Sequence, residues 1–183
     1  MESKISIWRK AIISPFCLGG LVAVLFCFSS CSISGYKFNG ATIDYDKIKT
    51  ITIEDIPNQA PLVYPPLSQM ISEELRNTFR RQTRLEEVDQ SGDIVLEGAI
   101  VGYDLIPVAV QEDAFSALTK FTIMVQISYF NSVDSDKSFQ NRVFSASTEF
   151  DSGQIFSDVQ DALAKELLGD IVKQIFNATV EDW

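Results

Sequence analysis

The chain has 183 residues, with 15 basic against 25 acidic side chains, no histidine and three cysteines. Without an imidazole there is no Ser–His or Cys–His catalysis, and the commonest metal ligand is missing. A net charge of −10 repels nucleic acid and anionic bilayers, so neither is expected as a general partner.

Lys4, Arg9 and Lys10 precede an uncharged run from Ala11 to Ser30, which closes as Phe28-Ser29-Ser30-Cys31. A basic start, an apolar run and small residues at the end describe a secretory signal. With cysteine next, the pattern resembles a bacterial lipoprotein signal. Residues 1–30 would be cleaved, and Cys31 would be the lipidated first residue of the mature chain. The uncharged run also reaches bilayer-spanning length, so a retained helix is the competing reading. Pro15 and Gly19-Gly20 favour cleavage. Each buried acyl methylene contributes about 0.8 kcal/mol, and two chains already anchor stably. Cys17 and Cys27 fall in the leader, so the rest of the chain has no disulfide available and must fold on packing. After cleavage, 12 basic and 24 acidic side chains remain, enough chain for one domain.

Residues 31–47 read as a lipidated tether, and 48–183 as a single α+β domain. Ile48 to Glu54 alternates apolar and polar with β-branched residues and predicts a strand. Pro57 and Pro61 break it. Pro65-Pro66 suits a helix start, and Leu67, Met70, Ile71, Leu75 and Phe79 follow at helical spacing, predicting a helix over 66–83. Leu85–Val88 reads as a short lead-in strand. From Asp93 to Ile106 a long strand is expected, with Ile94, Leu96 and Ile100 on one face. Val95, Val101, Tyr103 and Leu105 fall on the other, and Gly98 and Gly102 on the first, where they suggest a bulge or a close contact. Thr119–Phe130 alternates most cleanly, and a polar turn leads to Phe139–Phe150, so the two pair antiparallel. Ser157 with Gln160 fits a capping box opening a last helix, whose apolar stripe runs through Val159, Leu163, Leu167, Ile171 and Ile175. The order β-α-β-β-β-α predicts a two-layer sandwich: about four strands, with both helices on one face. Thr, Ser, Gln and Lys would occupy the other face.

Arg76, Arg80, Arg81 and Arg84 form the densest basic cluster. They are candidates for an anion site, since guanidinium forks match phosphate geometry; the plainer reading is a solvated helix end. The segment 107–115 reads as a loop with an apolar half, and Pro107, Val108, Val110 and Phe115 are candidate partner contacts. Trp183 either packs the helix end or anchors a partner. No phosphate loop, metal-ligand spacing or nucleophile motif is present, so no cofactor, no metal and no enzymatic activity are expected.

Several motifs, taken in order, resemble the lipopolysaccharide-assembly lipoprotein family LptE, in the divergent form ending in tryptophan. These are Cys31 followed by Gly35-Tyr36-Lys37-Phe38 and Gly40-Ala41, Ile51-Thr52-Ile53, and Pro66-Leu67-Ser68-Gln69. Gly92-Asp93, Leu96-Glu97-Gly98, Gly102-Tyr103, Phe176-Asn177 and Trp183 complete the set. The resemblance implies an outer-membrane lipoprotein lodged inside an LptD-type β-barrel. It would plug that barrel, help assemble it and assist lipopolysaccharide transport, with lipopolysaccharide itself a possible ligand of the arginines. The residues alone leave open a reading from another class: a lipid-anchored activator of a periplasmic cell-wall synthase.

Overall fold

Residues 43–62, 64–108 and 117–180 are described by a computed structural model. They all fall in the second of two units into which the chain divides, 39–183. Cys31, Val110, Phe115 and Trp183 lie outside the described residues.

Five strands and two helices follow in order: β1 (Thr50–Ile53), α1 (Pro66–Gln82), β2 (Glu86–Glu87), β3 (Ile94–Val108), β4 (Leu118–Asn131), β5 (Phe139–Asp151) and α2 (Phe156–Val180). The sheet order is β2-β1-β3-β4-β5. β1 runs parallel to both of its neighbours, and β3, β4 and β5 form an antiparallel meander. The α+β class, the order and the two helices match the sequence reading, but the sheet has five strands, not about four. The extra strand is the two exposed glutamates of β2, paired as Thr50↔Glu86 and Ile51↔Glu87. It is the centre of the lead-in strand expected over Leu85–Val88, which the sheet takes in as a fifth member.

β1 buries Ile51 and Ile53, and β4 buries Phe121, Ile123, Val125, Ile127 and Tyr129. Against that face lie Leu67, Ile71, Leu75 and Phe79 of α1 and Leu167, Leu168, Ile171 and Ile175 of α2. Burying each such side chain contributes about 1.5–3 kcal/mol. The helices meet each other where Phe79 and Phe176 pack edge to face, 5.3 Å between centroids.

The face assignment within β3 needs correction. A register shift between Ile100 and Gly102 makes Val101 an extra residue in the β3–β4 ladder. A bulge inverts the alternation beyond it. Tyr103, opposite Ile123, therefore joins Ile94, Leu96 and Ile100 on the core face, and Leu105, opposite Phe121, follows. Gly102 moves to the helix-free face, where a Cβ would collide with the Met124 side chain.

α1 begins at Pro66 as expected; Pro65 at the cap position has no side-chain acceptor, and the Tyr64 carbonyl takes the Leu67 N–H at 3.0 Å instead. α2 begins at Phe156, so Ser157 lies inside the helix and the capping box is not what starts it. Gln160 instead donates its amide to the Tyr103 phenol. Phe156 is held by rings on the sheet: Phe121 at 5.3 Å and Phe150 at 5.4 Å.

Candidate functional site

The four arginines do not converge on one point. α1 places Arg76 against the sheet edge, where its guanidinium donates to Asp55 at 2.7 Å, Glu87 at 3.1 Å and the Ile53 carbonyl at 3.2 Å. Arg80, one turn on, reaches the other Glu87 oxygen at 3.0 Å. β2 thus supplies one carboxylate to two arginines, and Arg76 ties α1 to β1 and β2. Arg81 pairs with Glu74 at 3.5 Å, while Arg84 lies over the Tyr45 ring. The side chains of Arg80 and Arg81 are each 66% accessible, against 29% for Arg76.

Pro107 and Val108 are strand residues rather than loop residues: they close β3, opposite Thr119 and Leu118. β1 pairs with β3 only as far as Leu96, so nothing needs a Pro107 N–H on that side. The β3–β4 hairpin thereby carries an apolar arm. Ile106 is 58% exposed and Leu118 37% exposed at its end.

At the opposite end of the strands lies a cleft of about 430 Å3 lined by Ile43, Tyr129, Asp134, Phe139 and Arg142. Ile43 itself is buried in the core. Arg142 sits over the rings of Phe139 and Phe144, 5.5 and 5.2 Å from their centroids. Burial pushes the Tyr129 phenol upward, so it stays neutral there and accepts the Asn131 amide. Arg142 falls on the same strand face as Phe144 and Ala146, opposite the buried Ile127, so the signal in the sequence was a lone charge on the apolar side of β5, which sequence reasoning passed over.

The helix-free face alternates with the core. β4 presents Lys120, Thr122, Met124, Gln126 and Ser128, as expected, but β3 and β5 add Val95, Ala99 and Val143, making it mixed rather than polar. Among the described residues, no helix is long and apolar enough to cross a membrane, and no group of His, Cys, Asp and Glu is placed to hold a metal ion.

Comparison with solved structures finds likenesses at low sequence identity. The hypothetical protein CT253 from Chlamydia trachomatis superposes with a TM-score of 0.50 at 11% identity, over 72% of this chain and 98% of that one. Uncharacterized lipoprotein B from Nitrosomonas europaea gives 0.47 at 13%, over 70% and 79%. The rare lipoprotein B from Shewanella oneidensis gives 0.43 at 15%, over 70% and 90%. At these identities the likeness concerns fold alone. No curated protein matches in sequence. A family model described as LptE, lipopolysaccharide-assembly, matches residues 48–179, from two residues before β1 through almost all of α2. The chain therefore belongs to the LptE lipopolysaccharide-assembly family.

Proposed function

We propose that this protein is an outer-membrane lipoprotein, held by acyl chains on Cys31, that plugs an LptD-type translocon barrel and helps it assemble. In that role it assists lipopolysaccharide transport to the cell surface. Family membership over residues 48–179 carries the reading. The basic, apolar and small-residue run ending at Cys31 supports the anchor. Residues 31–47 then link lipid to domain, with Ile43 already packed in its core. The mixed helix-free sheet face suits a lumen lined with polar side chains. The apolar arm at Pro107 and Val108, continuing toward Val110 and Phe115, is the candidate barrel contact. Arg80, Arg81 and Arg84 are the candidate anion contacts, because Arg76 is already engaged within the domain.

The test is co-purification of the tagged chain from native membranes in mild detergent, with its partners identified by mass spectrometry. A stoichiometric outer-membrane barrel is expected. Recovery with a cell-wall synthase, or with no barrel, overturns the proposal.

A further inference from the structure

The two edges of the sheet are finished differently. β2 ends one side with two glutamates, a short charged edge that discourages further pairing. β5 ends the other over Phe139–Asp151, and among the described residues no strand pairs with its outer side. Its central stretch, Val143-Phe144-Ser145-Ala146-Ser147-Thr148, has no charge and no proline. A long, uncharged, β-prone edge is a template for another strand.

The Ser145 carbonyl accepts the side-chain amide of Gln174 at 3.1 Å, so it faces away from β4. Strand alternation turns the backbone groups of Val143, Ser147 and Glu149 outward as well. Gln174 is an exposed α2 residue and occupies the place an incoming backbone N–H would take. Asp170 and Glu166 lie four and eight residues before it, on the same helix face, and both are exposed. With Glu149 they place three carboxylates beside the edge; Arg142 at its start, Lys173 next to Gln174 and Lys120 opposite Glu149 offset them locally, within a chain of net charge −10.

We propose that β5 takes up an extended, lysine- or arginine-bearing segment of a partner polypeptide as a sixth strand, with Gln174 holding the Ser145 carbonyl until that strand arrives. The row of backbone groups recognises an extended chain, and the net negative charge of the whole chain selects a basic one. A second copy of this chain is disfavoured as the occupant, because two chains of net charge −10 repel. This inference does not depend on which assembly the protein serves.

The test uses the full chain in detergent micelles and two synthetic peptides of about ten residues, a strand's length, alternating valine with lysine or valine with glutamate. The readout is residue-resolved amide hydrogen exchange. The lysine peptide should slow exchange at Val143, Ser145, Ser147 and Glu149 by about tenfold at saturation, and the glutamate peptide should not. Ser147→Pro removes an outward N–H, so it should abolish the effect while leaving thermal unfolding unchanged. Gln174→Ala frees the carbonyl and should tighten peptide binding by about threefold. Three results overturn the proposal: no slowing, equal slowing by both peptides, or edge amides already protected in a self-associated free chain. If Ser147→Pro does not fold, unchanged binding by Gln174→Ala refutes the holding role on its own.

Discussion

The carboxylate of Asp93 accepts the backbone N–H of Lys49 at 2.8 Å, across 44 residues of sequence. It also accepts the Thr50 N–H and the Thr50 hydroxyl, both at 3.0 Å. These bonds, the Lys49 N–H foremost, hold the Asp93 carboxyl below its usual 3.8. The lowered value means the folded state prefers the ionised form. The resulting stability is fully present above the ordinary carboxylate range and is lost as pH falls through the folded value. Asp93→Ala should cost about 2 kcal/mol at neutral pH, from lost charge-assisted hydrogen bonds. It should also flatten the acid limb of stability against pH, as read by urea unfolding between pH 7 and 3.

Arg76 and Arg81 sit five residues apart on α1 and should respond very differently to truncation. Arg76→Ala breaks contacts to Asp55, Glu87 and the Ile53 carbonyl and should lower stability by about 1–2 kcal/mol. Arg81→Ala loses one long, exposed pair and should stay within about 0.5 kcal/mol. Chemical denaturation of both variants measures the difference.

Ser72 is buried on α1, and its hydroxyl oxygen accepts the buried Ile56 N–H at 3.1 Å. One turn earlier, Ser68 donates to the Ile56 carbonyl. Two serines on one helix face thus satisfy both backbone groups of the chain leaving β1. Ser72→Ala would orphan the Ile56 N–H and should cost about 1–3 kcal/mol. Hydrogen exchange at Ile56 should rise with it.

The glycines at 98 and 169 predict opposite signs. Gly169 lies mid-helix, and an added Cβ would meet nothing within 4 Å. Gly169→Ala should therefore stabilise by about 0.5–1 kcal/mol. A Cβ on Gly98 would run into the Gln126 carbonyl and lie 2.7 Å from the Ile127 side chain. Gly98→Ala should destabilise by about 1–3 kcal/mol through overpacking. A pair of thermal melts checks both.

Periodicity alone located both helices and the β4–β5 pair, because each buries one face against a single layer. It failed where a feature is not periodic. Gly98 and Gly102 signal a bulge or close contact in β3, but alternation does not say which residue is the extra one; it is Val101, and this puts Tyr103 on the core face rather than the other. The short strand expected at Leu85–Val88 exists as β2, but its place at the sheet edge beside β1 comes from parallel pairing that no local pattern shows. Ser157 and Gln160 carry capping chemistry, but the ring contacts of Phe156 start α2 earlier. The arginine spacing was readable, whereas the partners that engage Arg76, Asp55 and Glu87, come from distant sequence. Asp93 and the free edge of β5 are products of topology and could not be seen before strand order was known.

The parallel placement of β1 has a consequence for how the chain acquires its structure. Both neighbours of β1 come later in sequence, and the pairing Ile53↔Leu96 spans the whole of α1. β3, β4 and β5 pair with sequence neighbours through hairpins and close with little loop entropy. A chain made from its N-terminus therefore holds its first strand unpaired until Glu86 and Glu87 have emerged, and without its longer neighbour β3 until Leu96 has followed. Throughout that interval the alternating run Ile48–Ile53 is a bare strand, and whatever shields it then matters as much to the yield of folded protein as any contact in the finished domain.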